Sequence, residues 1–341
     1  MKNILFIIDE IEFKYFEFNL LVTDFWMIKT FLEEGFRVDI TTKHELFLEG
    51  NKPFALVYST NAKNNDIFKS ENRVKNCLNN YDVIFTRPDP PVDIDFINAT
   101  YILDYLDEKV FCINNHRALR NINEKLYINK FPSLAPKNIV TSESSLIKEF
   151  LFENEEIIIK PLNKCFSSGV FYLNSKDKNI NAIISTATDN GKTKVMVQEY
   201  LKGIEKGDKR LIFIAGEILD YAVTKVATNN DFKFNEHKKE NLILGNLTLE
   251  QKNMEKVISK TLLDDGIYMA GLDVIDDKII EINITSPCFF INEINSLYNI
   301  KFEKIIFEKT KKLFEIHKER QLLKCWKFFK KAQKKFFTCF K

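Results

Sequence analysis

The sequence predicts an α/β fold over about the first 120 residues and an α+β fold over the remaining two thirds. In the first part, short β-branched runs alternate with helical apolar patterns, which is typical of a doubly wound parallel sheet. After Leu126 the pattern changes to isolated strands with hairpin signals, which indicates antiparallel sheets. A chain of 341 residues also exceeds the length at which single cores stop growing, so we expect two or three packed domains.

The N-terminal part reads as a β-α-β unit followed by two further strands. A loop, Arg87-Pro-Asp-Pro-Pro91, directly follows one of these strands, at the kind of position where α/β sheets bind ligands. The predicted strands are 4–8, 36–40, 81–86 and 110–114, and the predicted helices are 20–34, ending at Gly35, and 95–106.

The C-terminal part reads as hairpins with two long helices between them. The first of these helices follows Thr141, a residue type that favours the N-cap position. The predicted strands are 156–160, 169–173, 194–200, 209–215, 219–226 and the hairpin 271–283, and the predicted helices are 142–152 and 249–265.

Composition excludes several functional classes. The chain is 45% hydrophobic and 29% charged, and no apolar run approaches the ~18 residues of a membrane span. The apolar run 4–8 is too short for a signal peptide and ends in Asp9 and Glu10. Six cysteines without a close C-x-x-C pair, and four scattered histidines, indicate neither a disulfide framework nor a zinc site. We therefore expect a cytoplasmic protein.

The positive charge is concentrated in residues 318–341, which hold nine Lys or Arg and one Glu. Subtracting these from the 50 basic and 48 acidic residues leaves 41 and 47, a net charge of −6 for the body. This distribution gives no support for nucleic-acid binding. In the tail, Leu322, Trp326 and Phe329 fall near helical spacing. A helix on anionic lipid is one interpretation, and packing or a mobile extension is the one we favour.

The predicted hairpin 271–283 carries the most informative polar residues. Glu281 and Asn283 share one face of their strand because side chains two residues apart point the same way. A three-residue turn, 276–278, would place Asp273 opposite Glu281, whereas a two-residue turn would place it on the other face; we expect three. Two carboxylates and an amide oxygen suit Mg²⁺. A polar surface patch is the alternative.

Two lysines add weight to the magnesium interpretation. Lys125 follows Asn123-Glu124, and Lys160 closes the predicted strand 156–160. A lysine in such a position is either solvated or directed at an anion such as a phosphate.

Together these residues give the chain a resemblance to bacterial glutathione synthetase, a family of the ATP-grasp superfamily. The similarity extends in order over about residues 80–290. Its segments are Arg87-Pro-Asp-Pro-Pro91, Phe96-Ile-Asn-Ala-Thr-Tyr-Ile-Leu103, Asn123-Glu-Lys-Leu126, Ile158-Ile-Lys-Pro-Leu162, Gln198-Glu-Tyr-Leu201, Gly207-Asp-Lys-Arg210 and Glu281-Ile-Asn-Ile-Thr-Ser-Pro287.

The resemblance implies an ATP-grasp fold preceded by a doubly wound domain. The implied division is an N-terminal domain at 1–120, a central lid domain at 121–200, a C-terminal domain with the metal site at 201–316, and the basic tail at 317–341. It also implies a homo-oligomer.

The resemblance further implies a role for each matching residue. Lys160 and Arg210 would be catalytic, and Asp273, Glu281 and Asn283 would bind Mg²⁺ or Mn²⁺. The implied ATP-binding residues are Lys125, Lys160, Gln198, Glu199, Tyr200, Leu201 and Asp208, and the implied substrate-binding residues are Arg87, Arg210, Lys225, Lys233, Asn235 and Ser286.

The implied reaction joins γ-glutamylcysteine to glycine with ATP. The substrate carboxylate takes the γ-phosphate to give an acyl phosphate, and the amine then displaces phosphate, which leaves glutathione and ADP. Phosphoryl transfer depends on positioning and charge neutralisation more than on a covalent catalyst. The implied lysines, arginine and metal ligands supply these without a nucleophilic Ser or Cys.

The chain departs from the family pattern in two loops. In the phosphate loop 163–170, only Gly169 remains of a glycine-rich stretch, and we hypothesise that Lys164 compensates by reaching the phosphates. In the substrate loop, Lys225 and Lys233 replace arginines, which removes bidentate carboxylate recognition. Two alternatives therefore stay open: an impaired relative that only binds nucleotide, and an ATP-grasp peptide ligase with an altered substrate.

Overall fold

The computed structural model describes residues 1–64, 66–165, 167–226 and 242–338, without the side chains of Leu244 and 325–338. The chain forms two compact units. The first contains residues 1–88, 98–116 and those from 301 onward, and the second contains 89–97 and 117–300. Over the described residues, no helix combines the length and apolar character needed to cross a bilayer.

The first unit is built on a parallel sheet, as predicted. Strand β1 (Asn3–Ile8) pairs in parallel with β2 (Arg37–Thr42) and with β7 (Val83–Thr86), and β8 (Phe111–Ile113) extends the sheet beyond β7. Residues 4–8 are all buried, which is why the strand reads as a continuous apolar run. The α/β prediction for this part is confirmed.

Helix α2 (Thr23–Glu33) connects β1 to β2 and ends where the sequence indicates. Gly35 adopts φ +80°, and the Phe36 N–H donates to the Phe31 carbonyl at 3.0 Å. This left-handed glycine closes the helix in a Schellman motif. The other α-helices within residues 1–121 are α1 (Glu10–Lys14), α3 (Ile94–Leu103) and α4 (His116–Asn121).

Sequence analysis missed a group of antiparallel strands between residues 46 and 77. The long strand β4 pairs with β2 and with three short strands. Along β4 only Pro53, Ala55 and Val57 are buried, and the short apolar run of this strand begins with a proline, which argues against a strand. These strands are β3 (Leu46–Glu49), β4 (Lys52–Lys63), β5 (Asp66–Lys69) and β6 (Val74–Cys77).

The long helix α9 (Phe302–Thr338) belongs to the first unit. Phe307 packs against Phe31 and Phe36, with ring centroids 5.2 and 5.6 Å apart. Residues 301–316 therefore belong to the first unit, although the sequence analysis assigned them to the domain that begins at 201. The basic tail continues the helix to Thr338, and the four-part domain division stays a prediction.

The second unit contains two antiparallel sheets, as predicted. The four-stranded sheet has the order β11-β10-β12-β9, and the five-stranded sheet has the order β15-β14-β13-β16-β17. The strands are β9 (Asn138–Thr141), β10 (Glu156–Pro161), β11 (Phe171–Asn174), β12 (Val195–Glu199), β13 (Asp208–Ile214), β14 (Glu217–Lys225), β15 (Leu242–Leu244), β16 (Met269–Ile275) and β17 (Lys278–Asn283).

Two helices of the second unit, α7 and α5, begin with different N-terminal capping arrangements. Helix α7 (Leu249–Asp264) begins with a capping box between Thr248 and Gln251. Helix α5 (Ser144–Asn154) has Glu143 at its N-cap, so the predicted cap at Thr141 is wrong. The Thr141 hydroxyl instead accepts from the Glu143 N–H at 3.0 Å, in a turn that precedes the helix. The remaining helices are α6 (Ile180–Ala187) and α8 (Ile291–Tyr298).

Candidate active site

The β16–β17 hairpin places Asp273 directly opposite Glu281, and Gly271 opposite Asn283. The predicted pairing is therefore confirmed, but the predicted three-residue turn is wrong. The turn consists of Asp276 and Asp277, both with positive φ (51° and 48°), as a two-residue hairpin turn requires. A β-bulge between the turn and Glu281 shifts the register by one residue, which returns the carboxylates to the same face.

Asp273 is the most heavily engaged carboxylate of the site. Its oxygens accept from Arg210 Nε at 2.6 Å and Arg210 Nη2 at 3.1 Å, and from Asn283 Nδ2 at 3.0 Å. The Lys225 ammonium lies 3.5 Å from the same group. Burial alone would raise the pKa of Asp273, but the Arg210 and Lys225 cations hold this pKa well below its usual range. Asp273 is therefore ionised throughout the physiological range.

The oxygen donors on this face fit a hard divalent cation. In the part of the chain that the structure describes, no cluster of three or more His, Cys, Asp or Glu is placed to hold a metal ion. The candidate set is instead two carboxylates, Asp273 and Glu281, and the amide of Asn283. Glu281 retains 20% exposure of its side chain, so it is accessible to a ligand. Such a set suits an ion whose coordination shell is completed by water and phosphate.

The two predicted phosphate lysines lie near this face. Lys125 Nζ donates to Glu281 Oε1 at 3.1 Å and to the Lys164 carbonyl at 2.8 Å. Lys160 is buried, and burial lowers its pKa, an effect that Glu281 opposes and Lys125 reinforces. Among the described residues, Lys160 Nζ makes no hydrogen bond or ion pair. A buried ammonium in this condition is an attractive partner for an incoming anion.

Arg210 is held in a fixed orientation by contacts on several sides. Besides the bidentate bond to Asp273, its Nη1 donates to the Cys288 carbonyl at 3.0 Å. The guanidinium lies over Gly271, where an added Cβ would be 2.8 Å from Arg210 Nη1 and 2.9 Å from Cδ. The missing side chain at residue 271 therefore makes the space that the guanidinium occupies.

Asp208 and Lys225 form a second buried ion pair beside the first. Lys225 Nζ lies 2.7 Å from Asp208 Oδ2, while Asp208 Oδ1 has no hydrogen-bond partner among the described residues. Burial raises the pKa of Asp208 to about 6, and the neighbouring Asp273 adds to this rise, whereas Lys225 opposes it. Lys225 was assigned from sequence to substrate binding, and the structure places its ammonium between two carboxylates.

The raised pKa of Asp208 predicts a pH-dependent contribution to stability. The pKa in the folded state, about 6, exceeds the ordinary 3.8, so the folded protein favours the protonated form. Stability from this group is therefore present below pH ~4 and is lost as pH rises to ~6, by up to about 3 kcal/mol. Asp208→Asn has no titrating group here. We expect the stability difference, wild type minus Asp208→Asn, to fall over this pH window.

Urea midpoints of the two proteins, measured at a series of pH values, give this difference. Parallel midpoint curves for wild type and Asp208→Asn would contradict the assignment.

The segment predicted to bind adenine lies at and beyond the end of β12. The Glu199 and Tyr200 N–H groups donate to the carbonyls of Lys137 and Glu156, both at 3.0 Å. Gln198 is buried, and its Nε2 lies 3.5 Å from the Ile280 carbonyl. The Leu201 N–H donates to no acceptor within the described residues, so a ligand can use it. The adenine role of these four residues stays a prediction.

The phosphate loop forms left-handed turns with a single glycine. Gly169 has φ +72° and Ser167 has φ +53°, so a serine takes one of the positions that glycine favours. A Cβ on Gly169 would approach Pro161 Cγ to 3.0 Å and the Lys164 side chain to 3.6 Å. Phe166 lies outside the described residues. The hypothesis that Lys164 contacts phosphates stays untested.

The other predicted substrate residues lie in different parts of the chain. Arg87 lies in the first unit, where it is buried in an ion pair with Asp24. Ser286 is half-buried and follows β17 by three residues. Lys233 and Asn235 lie outside the described residues.

Sequence analysis missed the roles of Asn123, Glu124 and Gly271. The first two were quoted only as neighbours of Lys125, yet both hold the loop that carries it. A glycine inside a predicted strand signals close approach of another group, and this signal was present at residue 271.

The two antiparallel sheets and their facing lysines and carboxylates define an ATP-grasp ligase. A solved structure of D-cycloserine synthetase has the same fold, with a TM-score of 0.65 and 11% identity over 92% of this chain and 99% of that one. The D-alanyl-alanine synthetase A of Vibrio cholerae has a TM-score of 0.59 and 12% identity over 92% and 98% of the two chains. At these identities the likeness shows the fold alone.

Sequence similarity identifies the family within this fold. The profile described as "Prokaryotic glutathione synthetase, ATP-grasp domain" matches residues 124–299, and that of the N-terminal domain matches 3–120. The glutathione synthetase of Neisseria meningitidis is 33% identical over 85% of this chain and 92% of its own length. That of Nitrosomonas europaea is 36% identical, over 62% of this chain and 66% of its own length. The chain belongs to the prokaryotic glutathione synthetase family.

Proposed function

We propose that the protein joins γ-glutamylcysteine to glycine, with ATP converted to ADP and phosphate. Members of this family use ATP and divalent metal ions. The observation that carries the proposal is the close grouping of Lys125, Lys160 and Arg210 with the oxygen donors Asp273 and Glu281. Lysine and arginine side chains beside carboxylates that can bind a metal ion suit a nucleoside triphosphate.

Asp273, Glu281 and Asn283 would hold Mg²⁺, which supplies neutralising charge at the phosphate oxygens when bound. Lys160 makes no pair among the described residues, and Lys125 bonds to the candidate metal ligand Glu281, so both ammonium groups would donate to phosphate oxygens held beside the metal. Arg210 would stabilise the negative charge that develops as the acyl phosphate forms and the amine attacks. Its fixed orientation means that little reorganisation is needed during the reaction.

Phosphate release is the direct test of this proposal. With ATP and Mg²⁺, we expect release only when both γ-glutamylcysteine and glycine are present, because the acyl phosphate forms on the dipeptide carboxylate and releases its phosphate when the glycine amine attacks it. A reaction with EDTA controls for the metal. Nucleotide binding without turnover would favour the impaired relative, and release with a different acid or amine would favour a peptide ligase with an altered substrate.

We place the protein in the cytoplasm and expect it to be a homo-oligomer, as the resemblance implies. Cys77, Cys112, Cys165 and Cys288 are free thiols, which is consistent with a reducing compartment. The favoured interpretation of the basic tail remains packing or extension rather than contact with lipid.

A further inference from the structure

The strand that carries the candidate metal ligands lies at the end of its sheet. In the order β15-β14-β13-β16-β17, strand β17 is the last, so among the described residues one row of its backbone groups has no neighbouring strand to bond to. Buried backbone N–H groups need an acceptor, and a loose edge would leave Glu281 and Asn283 poorly positioned.

Glu124 supplies the acceptors at the C-terminal end of this edge, whereas the Leu134 carbonyl accepts from the Ile279 N–H at 2.8 Å near its start. Glu124 Oε1 accepts from the Ile284 N–H at 2.6 Å and from the Thr285 N–H at 2.8 Å. Its backbone carbonyl accepts from the Ile282 N–H at 3.1 Å. One residue therefore bonds to the strand on both sides of Asn283 and directly after Glu281.

The neighbours of Glu124 extend the same support to the phosphate lysines. The Asn123 side-chain oxygen accepts from the N–H groups of Lys125 and Leu126, both at 3.1 Å. Its Nδ2 donates to the Leu162 carbonyl at 2.8 Å, just beyond the strand that carries Lys160. The segment 123–125 thus connects the loop of Lys125, the end of β10 and the edge of β17.

We propose that Glu124 is a positioning residue that fixes β17 through hydrogen bonds, so that Glu281 and Asn283 are held ready for the divalent cation. This inference rests on the proposed function. Its carboxylate bonds to backbone groups rather than to the site, so its charge is not the feature that matters. Burial raises the pKa of Glu124, and the nearby Glu281 adds to this rise, whereas the hydrogen bonds from Thr285 and Ile284 oppose it.

Two conservative variants separate position from charge. Glu124→Gln removes the charge but keeps a carbonyl oxygen at the end of a side chain of the same length. Glu124→Asp keeps the charge but withdraws the oxygens by about 1.5 Å, one C–C bond. Mn²⁺ binding in the presence of a non-hydrolysable ATP analogue can be measured from the EPR signal of free Mn²⁺. We expect the Mn²⁺ affinity to weaken about tenfold or more in Glu124→Asp and to stay within about threefold of wild type in Glu124→Gln.

Asp82→Ala is the matched control. Asp82 Oδ2 also accepts two backbone N–H groups, those of Lys2 at 2.6 Å and Asn3 at 3.1 Å, but at the start of β1 in the other unit. This variant should lose stability and keep wild-type Mn²⁺ affinity.

The inference is overturned if Glu124→Asp binds Mn²⁺ as wild type does, or if Glu124→Gln binds tenfold more weakly. Should Glu124→Asp fail to fold, as judged by thermal unfolding, Glu124→Gln can still overturn the inference by binding Mn²⁺ tenfold more weakly than wild type. A wild-type protein that binds no Mn²⁺ with the nucleotide overturns the proposed function as well, whereas a failure confined to the variants overturns the inference alone.

Discussion

Replacing Asp273 by asparagine should reduce ligase activity by more than about 1,000-fold and destabilise the protein by about 3–5 kcal/mol. The activity is lost because the variant removes a metal ligand and releases Arg210 from its bidentate bond. The stability is lost because Arg210 and Lys225, both buried, no longer share this counter-charge. Phosphate release and thermal unfolding, measured on the same preparation, check both parts.

Asp265→Asn is a suitable control for the loss of an aspartate that pairs with a lysine. Asp265 accepts from Lys130 at 2.7 Å and from Tyr127 at 2.6 Å, but it is partly exposed and lies outside the site. Partly exposed pairs contribute about 1 kcal/mol or less, so this variant should keep its activity. If Asp273→Asn retained activity within tenfold of wild type, the assignment of the metal site would be wrong.

Gly271→Ala should reduce kcat by about 100-fold or more while the protein stays folded. The backbone of residue 271 has no left-handed φ, so alanine is tolerated there conformationally. The new Cβ would instead lie 2.8 Å from Arg210 Nη1, closer than carbon and nitrogen atoms approach without bonding, so the guanidinium has to move. Steady-state kinetics should show the loss in kcat, with the KM for ATP little changed because Lys125 bonds to Glu281 and the Lys164 carbonyl and not to Arg210.

Gly35→Ala separates this steric effect from a general effect of replacing glycine. Gly35 has φ +80°, and nothing lies within 4 Å of its added Cβ. The variant should therefore lose about 1 kcal/mol of stability through backbone strain and keep full activity. If Gly271→Ala matched wild-type kcat, the tight contact with Arg210 would not matter for the reaction.

The sequence predicts most strands of the second unit because short apolar runs such as those of β13 and β16 are separated by turn signals. It also predicts that Asp273 and Glu281 face each other, although for a reason that is wrong. A two-residue turn followed by a bulge gives the same pairing as the three-residue turn, and single-sequence patterns do not distinguish the two. The pairing was predictable because both solutions preserve the buried face of the hairpin.

Other features depend on contacts between residues far apart in the chain, which no local pattern encodes. Lys225 reads as a loop residue that meets substrate, yet it is buried against Asp208, 17 positions earlier. The hydrogen bond from the Ile284 N–H to the Glu124 carboxylate spans 160 positions, and a backbone donor carries no sequence signal. The antiparallel strands between residues 46 and 77 were missed because the apolar run of β4 is short, begins with a proline and is followed by a polar half.

The position of helix α9 has a consequence for synthesis on the ribosome. Phe302, Ile306 and Phe307 are buried in the first unit, more than 200 positions after β1 and α2. The second unit is assembled almost entirely from the continuous stretch 117–300, so its residues emerge in time to fold together. The first unit is begun earlier but lacks part of its core until residues 302–314 leave the exit tunnel. The unit made first is therefore completed last, and it is the one that needs protection while translation proceeds.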